Sequence, residues 1–221
     1  MLDRAVPAAP DDAKPVVNTR PRDAASLILY RQGRAGVEVL MGVRHARHRF
    51  MPNALVFPGG RVDPTDHKHP ALTELLPETQ GHLAQKATPG RARALGIAAV
   101  RELHEETNLV LGEFRGGQLL PALHRLHYIT RAITPPPRAI RFHARFLAAP
   151  AEAAQGELKG SGELETLRFF PVQEALAVGH MAGITAKVMA EFLRWLDLPQ
   201  EHRHSRDLVV FQRRDTRMRD R

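Results

Sequence analysis

A segment of about twenty residues, 89–109, carries the strongest structural signal in this chain. Thr88 and Pro89 are typical of a helix start, because a hydroxyl caps free N–H groups and proline has no N–H to leave unpaired at the first position. Asn108 is typical of a helix end, since asparagine tolerates the left-handed backbone conformation found there. The sequence therefore predicts a helix over this segment.

The two faces of this predicted helix differ in character. At about 100° per residue, Glu102, Glu105 and Glu106 share one face, and an apolar stripe that should meet the core lies opposite. Carboxylates at these spacings repel one another, so a positive group is needed beside them. Arg101, four residues before Glu105, is one such group, and a hard divalent cation such as Mg²⁺ suits the remaining negative charge. The alternative is a solvated acidic surface.

The rest of the chain contains more strands than helices. Runs rich in β-branched and aromatic residues predict strands. Two further segments with apolar residues at helical spacing predict helices, and a third, short helix is predicted within a loop. This content predicts an α+β fold with a mixed sheet. The predicted strands are 26–31, 36–44, 54–57, 124–130, 139–147 and 165–170, and the additional helices are 71–76, 171–178 and 183–198.

Composition excludes several kinds of site. The 221 residues include no cysteine, which excludes disulfides, thiolate zinc sites, iron–sulfur clusters and a cysteine nucleophile. No apolar run is long enough to span a membrane, and the first residues carry prolines and acids where a signal peptide needs an apolar stretch. We therefore expect a cytoplasmic protein without membrane contact, in which any metal is held by oxygen or imidazole.

Composition also divides the chain. Residues 1–22 carry four prolines among alanines and charges, which predicts a flexible N-terminal arm before a single domain over 23–200. Within the domain, residues 67–90 lack a sustained apolar period and are predicted to be an inserted surface excursion. Residues 201–221 hold seven arginines against four acidic residues, with a short apolar stretch over 208–211. We expect a basic C-terminal tail, or a strand that docks.

Two motifs together resemble one enzyme family. Residues 57–60 read Phe-Pro-Gly-Gly, and residues 101–109 match the pattern R-E-U-x-E-E-x-G-U, with U aliphatic, except for Asn108 at the glycine position. The chain resembles a Nudix hydrolase. The resemblance implies an α/β/α sandwich around a mixed sheet and hydrolysis of diphosphates attached to another group, with Mg²⁺ or Mn²⁺ as cofactor.

The spacing of the two motifs limits the resemblance to one subgroup of the family. Forty residues separate Gly60 from Arg101, so the usual Nudix box is split by an insertion, and the first acidic position of the box falls on Asp66. Over residues 26–176 the chain looks like the subgroup that contains the peroxisomal coenzyme A diphosphatase. That likeness favours coenzyme A or acyl-CoA as substrate, followed by NADH or ADP-ribose.

Carried over by position, the resemblance assigns roles to the box residues. Glu102, Glu105, Glu106 and the backbone carbonyl of Gly59 are the implied metal ligands. Arg101 would orient a glutamate and so belongs to the predicted catalytic set, with Glu105.

The residue that activates water stays open at this point. A metal-bound glutamate of the helix, such as Glu105, is one candidate. The alternatives are acids of a later loop, Glu157, Glu163 and Glu165, of which we favour Glu163.

Cationic residues near the motifs suggest a phosphate clamp. Arg44, at the end of an early strand, and Arg61, after the glycines, are candidates because a guanidinium binds phosphate oxygens in a fork. Three further arginines, Arg138, Arg141 and Arg145, alternate with apolar residues around a strand, and such alternation brings the odd one to solvent whatever its function.

The histidines are assigned no role in the site. His67 and His69 lack a third fixed ligand in sequence and are expected to be bystanders. His104 is expected to pack at the helix edge.

Two other functions compete with hydrolysis. A Nudix domain can serve as a ligand sensor without turnover, although the three glutamates speak against this. The net charge of +8 attracts nucleic acid in principle, but no recognition motif accompanies it. The expected partner is therefore a small nucleoside diphosphate derivative, with nucleic acid disfavoured and a homodimer compatible with the resemblance.

Overall fold

The computed structural model describes residues 19–47, 50–136, 138–179, 181–212 and 216–220, so residues 1–18 of the predicted N-terminal arm lie outside it. The strands are β1 (Arg22–Gly33), β2 (Gly36–Arg44), β3 (Leu55–Val56), β4 (Gly59–Arg61), β5 (Gly112–Arg115), β6 (Gln118–Pro121), β7 (His127–Ile133), β8 (Phe142–Pro150), β9 (Leu164–Pro171), β10 (Val209–Gln212) and β11 (Thr216–Arg219). The helices are α1 (Pro77–Ala84), α2 (Pro89–Thr107), α3 (Val172–Ala177) and α4 (Gly183–Asp197).

Within the described part of the chain, nine strands form one mixed sheet. The order along its main path is β11-β10-β7-β8-β1-β2-β3, while β4 pairs with β1 and β9 pairs with β2. β1 runs parallel to β8 and antiparallel to β2. The α+β fold with a mixed sheet that the sequence predicts is confirmed.

Helices cover both faces of this sheet because successive residues of a strand point to opposite sides. In β1, Leu27 and Leu29 belong to the core that contains the apolar stripe of α2. Ile28 between them belongs to the core that contains α4. All three side chains are fully buried. The unbroken apolar run of this central strand therefore produces a sandwich with a helical layer on each side.

Helix α2 begins and ends for the reasons seen in its sequence. The hydroxyl of Thr88 accepts the backbone N–H of Arg91 at 3.3 Å, and Pro89 is the first helical residue. Asn108 closes the helix with φ of 62°. The buried apolar stripe fixes the rotation of α2 and so turns its acidic face away from the core. Among the described residues, no helix has the length and apolar character needed to cross a membrane.

The segment between β4 and α2 is exposed at more than half of residues 67–90, and a few buried side chains attach it to the core. The helix expected near 71–76 is wrong in position, because Pro77 supplies the first helical residue and α1 follows it. Thr79 and Leu83 of α1 are buried, and the Thr79 hydroxyl donates to a backbone carbonyl at 2.8 Å. These contacts attach the segment to the core beside α2.

A separate hairpin of β5 and β6 follows α2 and was not predicted. Its turn is made by Gly116 and Gly117, whose φ angles are 56° and 78°. Adjacent glycines adopt these left-handed conformations at little cost and join two strands tightly. The two glycines are the sequence signal from which this hairpin can be predicted.

Strands β10 and β11 continue the sheet beyond residue 200. Val210 and Phe211 are buried, and β10 pairs in parallel with β7. Asp220 accepts hydrogen bonds from Nε and Nη2 of Arg131, each at 2.6 Å. The segment assigned by composition to a basic tail thus contributes two strands, and its short apolar stretch is the reason.

The alternation along β8 does not place every arginine in solvent. Arg138 is exposed and Arg141 is half-buried, but Arg145 is only 2% exposed. Its guanidinium donates to the carboxylate of Asp23 and, at 2.9 Å, to the carbonyl of His143. The ion pair and these hydrogen bonds offset the cost of burying the charge.

The imidazole of His143, beside this ion pair, is held neutral. Arg131 Nη1 donates to His143 Nε2 at 2.8 Å, so that nitrogen carries a lone pair. Burial, together with the charges of Arg145 and Arg131, lowers the pKa of His143 to about 3. The unfolded chain binds this proton near pH 6.5 and the folded chain does not. Stability present above about pH 6.5 is therefore lost as the pH falls toward 3.

Replacing His143 by glutamine is expected to reduce this acid sensitivity. Glutamine keeps an acceptor oxygen for Arg131 and does not titrate. Between pH 7 and pH 4.5, we expect the free energy of unfolding to fall by about 2 kcal/mol more in the wild type than in His143→Gln. Urea unfolding at both pH values measures the difference. Equal losses in the two proteins would show that His143 has no part in the acid response.

Candidate active site

The Phe-Pro-Gly-Gly turn contacts α2 through Gly59 and Glu106, which are 47 residues apart in the sequence. The backbone N–H of Gly59 donates to Oε2 of Glu106 at 2.8 Å, and Glu106 is 4% exposed. Gly59 lies so close to β1 that a Cβ atom on it would be 2.5 Å from the carbonyl oxygen of Ala25. Only glycine fits there, so this backbone contact explains the residue type.

Gly60 is needed for a second close approach. A Cβ atom at this position would lie 2.2 Å from Oε1 of Glu102. The missing side chain lets the carboxylate of Glu102 rest against the backbone of β4. Each glycine of the turn therefore contacts one carboxylate of α2: Gly60 lies against Glu102, and Gly59 binds Glu106.

Arg101 lies at the centre of the acidic face. Its Nη1 donates to Glu102 and to Glu105 at 2.9 Å each. Its Nε and Nη2 donate to the two carboxylate oxygens of Asp66 at 3.0 and 3.1 Å, and Nη2 also donates to the carbonyl of Arg61 at 2.9 Å. Arg101 therefore binds three carboxylates and fixes the turn to the helix.

Asp66 is the innermost of these partners, at 1% exposure. It lies in a short 3₁₀ turn, Pro64–His67, and also accepts the backbone N–H of Asp63 at 2.7 Å. Burial disfavours the charged guanidinium of Arg101, but the hydrogen bond and charge of Asp66, with those of Glu102, outweigh this and raise its pKa. Asp66, which the spacing of the motif matches to the first acidic position of the Nudix box, thus binds Arg101, the arginine of the same box.

The two carboxylates nearest the turn are electrostatically costly. Burial raises the pKa of Glu106 to about 8, even though the Gly59 N–H and the charge of Arg44 favour its ionised form. Burial also raises the pKa of Glu102, against the opposing charge and hydrogen bond of Arg101. The charge of Glu102 raises the pKa of Glu106, and the charge of Glu105 raises the pKa of Glu102. A cation bound between them would remove this cost.

The chemistry of this donor set fits a hard divalent cation. Carboxylates of Glu102, Glu105 and Glu106 and the carbonyl of Gly59 are oxygen donors of the kind that Mg²⁺ and Mn²⁺ prefer. As the side chains stand, no three acidic or imidazole groups in the described residues converge tightly enough to hold an ion. Arg101 draws Glu102 and Glu105 to itself, so binding would require them to turn toward Glu106.

The two predicted phosphate-binding arginines line the same cavity as these carboxylates. The volume of this cavity is about 420 Å³. Arg44 Nη2 lies 3.4 Å from the carbonyl oxygen of Gly59, and its charge acts on Glu106. Arg61 is exposed, and its carbonyl accepts from Arg101. Both side chains are therefore near the acidic face, at the end of β2 and the end of β4.

Of the three loop acids considered as the base, the structure brings only Glu163 to the cavity wall. Its charge raises the pKa values of both Glu102 and Glu106, which shows how near it lies. Glu165 instead faces His45, with an Oε1–Nε2 distance of 3.5 Å. Glu157 lies where its backbone carbonyl accepts from Asn108 at 3.1 Å. The catalytic and metal-binding roles of all these residues stay predictions.

One side of the cavity is apolar, and the sequence motifs described above do not predict it. It is lined by aromatic and small side chains from β7, β8 and the loop after β2. The signal was available, because Phe142, Ala144 and Phe146 alternate along β8 and so share one face.

His67, His69 and His104 lie outside the lining of this cavity. His69 Nε2 makes a 2.7 Å hydrogen bond with the carbonyl of Leu119, and His67 is exposed. His104 packs against the ring of Phe114, with centroids 5.2 Å apart.

Comparison with known proteins gives a family. A model described as the NUDIX domain matches residues 20–196. A crystal structure of a NUDIX hydrolase from Alicyclobacillus acidocaldarius is 24% identical, covers 78% of this chain and 91% of its own, and has a TM-score of 0.58. The NUDIX domain of Shewanella oneidensis NrtR, solved with ADP ribose, is 13% identical, covers 84% and 94%, and has a TM-score of 0.52. No curated protein matches the sequence.

These two structures share the fold described above, and the family model spans β1 to α4. The match includes both the Phe-Pro-Gly-Gly turn and the acidic face of α2. The chain therefore belongs to the Nudix hydrolase family, which confirms the family, the fold and the pyrophosphohydrolase class expected from the sequence.

Proposed function

We propose that this protein hydrolyses a diphosphate linkage in a nucleoside diphosphate derivative, using Mg²⁺ or Mn²⁺. The observation that carries the proposal is the carboxylate of Glu106, which is 4% exposed and bound to the N–H of Gly59 at 2.8 Å. A carboxylate buried at this cost suits a site that receives a cation. The arginines beside it suit a substrate that carries phosphate.

The residues around Glu106 divide the work. Glu102, Glu105, Glu106 and the carbonyl of Gly59 would hold the metal, which when bound withdraws charge from phosphorus and positions a water molecule. Arg101 would offset the mutual repulsion of Glu102 and Glu105 and so hold both beside the site, from which they turn toward the ion. Its contact with Asp66 fixes the guanidinium for this purpose.

Groups on the cavity wall would complete the reaction. Glu163 would accept a proton from the attacking water, and Glu105 is the alternative base. Arg44 and Arg61 would bind the phosphate oxygens that the metal leaves free and would stabilise the negative charge of the departing phosphate. Glu163 and the two arginines line one cavity with the carboxylates, which supports these roles.

Coenzyme A or an acyl-CoA is the substrate that we favour, with NADH and ADP-ribose next. The split box and the sequence around it support the first choice through the subgroup likeness. The structure of the Shewanella oneidensis NrtR domain was solved with ADP ribose, which supports including that compound. All of these compounds share a diphosphate attached to an adenosine group.

A substrate panel tests the proposal. Purified protein with Mg²⁺ or Mn²⁺ is incubated with coenzyme A, acetyl-CoA, NADH, ADP-ribose, a dinucleoside polyphosphate and a nucleotide sugar, and products are separated by chromatography. We expect adenosine 3′,5′-bisphosphate and phosphopantetheine from coenzyme A at the highest kcat/KM, and no turnover after chelation by EDTA. Binding of these compounds without any product would contradict hydrolysis and favour the ligand-sensor alternative.

A further inference from the structure

The active-site cavity has a second half that the diphosphate chemistry does not use. We call it the aromatic wing and define it by six lining residues, Ala24, Ala132, Ala144, Phe50, Phe142 and Phe146. The charged residues of the lining come from β2, β4, α2 and the loops beside them. The wing comes instead from β1, β7, β8 and the loop after β2.

The floor of the wing is flat. Ala144 of β8 pairs with Ala24 of β1 on one side and with Ala132 of β7 on the other. Residues paired across neighbouring strands point to the same face of a sheet. Three methyl groups therefore lie side by side on three adjacent strands, and all three residues line the cavity.

Aromatic rings bound this floor at both ends. Phe142 and Phe146 lie two residues before and after Ala144, so each is roughly 6.6 Å along the strand and on the same face. Phe50 packs edge-on against Phe142, with centroids 4.9 Å apart and planes at 80°. The floor and rings form a slot whose walls are hydrocarbon.

Polar groups on this side are few and uncharged. The hydroxyls of Ser26, Thr134 and Thr185 belong to residues that line the cavity. Ser26 lies beside the turn, because it pairs with Gly59, and Thr134 follows β7 and accepts the N–H of Phe142 at 3.1 Å. Hydrogen-bonding capacity therefore lies next to the methyl floor rather than across it.

We propose that the aromatic wing binds the nucleobase of the substrate, an inference that rests on the proposed function of the same site. A nucleobase has apolar faces that methyl groups and phenyl rings cover well, and it keeps its polar atoms at its edge. A sugar or a pantetheine chain carries hydroxyl or amide groups that this lining would leave without partners. The other side of the diphosphate would then carry such a group toward solvent.

Binding of two uncleavable ligands tests the inference. AMP and ribose 5-phosphate contain no diphosphate, and ribose 5-phosphate carries a hydroxyl group where AMP carries the adenine base. In calorimetric titrations of the wild type with Mg²⁺ present, we expect AMP to bind at least roughly tenfold more tightly than ribose 5-phosphate. Equal affinities would overturn the inference.

Three variants show where the preference arises. Phe50→Ala removes a ring from a loop, and Ala144→Leu fills the floor. Each is expected to weaken AMP binding roughly tenfold and to leave ribose 5-phosphate binding unchanged. Phe114→Ala, which removes a 48% exposed ring on the β5–β6 hairpin, is the matched control and should change neither. Equal weakening of both ligands by Phe50→Ala, in a variant that melts like the wild type, would also overturn the inference.

Failure of the proposed function looks different. If the substrate panel gives no product while AMP still binds more tightly than ribose 5-phosphate, hydrolysis is wrong and the base-binding wing stands. If the panel gives product and the two ligands bind equally, the wing is wrong and hydrolysis stands.

Discussion

Replacing Glu106 by glutamine is expected to abolish most of the hydrolytic activity while leaving the fold intact. The variant removes the negative charge from the most buried of the predicted metal ligands. Since metal stabilisation of transition-state charge contributes several kcal/mol, we expect kcat/KM to fall roughly a thousandfold or more. The Mg²⁺ concentration that gives half-maximal activity should rise in any activity that remains.

The same variant should not unfold the protein. Burial already favours the neutral form of the carboxyl group at this position. The amide oxygen of glutamine can still accept the N–H of Gly59. We therefore expect the melting temperature of the metal-free variant to stay within a few degrees of the wild type.

Glu78→Gln provides the matched control for this experiment. Glu78 is an exposed glutamate of α1 that lies outside the cavity lining. Its replacement should alter neither activity nor the Mg²⁺ requirement. Unchanged Mg²⁺-dependent turnover in Glu106→Gln would refute the metal assignment.

Replacing Arg101 by methionine is expected to produce the largest loss of stability. It leaves the buried carboxylate of Asp66 without its partner, and Glu102 and Glu105 without compensation. Removing one member of a buried ion pair typically costs about 3–5 kcal/mol. Urea unfolding of the metal-free protein should show this loss, and activity should fall as well, because Glu102 and Glu105 would repel each other.

Two further variants separate this effect from a general effect on α2. In the double variant Asp66→Asn with Arg101→Met, the Asp66 site no longer holds an unpaired buried charge, so the loss should be smaller than the sum of the single losses by about 1–3 kcal/mol. Arg93→Met also removes an arginine from α2, but its partner Glu74 has a side chain that is 63% exposed. We expect it to cost about 1 kcal/mol or less. Additive losses in the double variant would contradict the role of Asp66.

Local signals in the sequence are enough to predict much of the fold. Thr88, Pro89 and Asn108 predict where α2 begins and ends, because caps act within one turn of the helix. The spacing of Glu102, Glu105 and Glu106 predicts a common acidic face for the same reason. The strands of the central sheet can be predicted from apolar runs. A strand that is buried on both faces has apolar residues along its whole length, and this is visible in the composition. Recognition of the family adds the expected roles.

Other features could not be predicted, because they depend on where distant segments pack. The helix near 71–76 is displaced to α1, since Pro77 sets its start and the core beside α2 holds it. Arg145 is buried because Asp23, far away along the chain, lies beside it in the sheet. For the C-terminal segment the sequence leaves two alternatives, a tail by charge and a docked strand by the apolar stretch 208–211, and only the pairing with β7 decides for the strand.

The sequence by itself determined the helix with its three glutamates, the two adjacent glycines and hence the family. Only the tertiary structure decided which groups meet. Asp66 rather than solvent compensates Arg101, Gly59 binds Glu106 through its backbone, and three alanines of separate strands form one floor. The physical reason is range: caps and periodicity act between neighbours in sequence, whereas ion pairs, close backbone contacts and cavity walls form only after the sheet and α2 have packed.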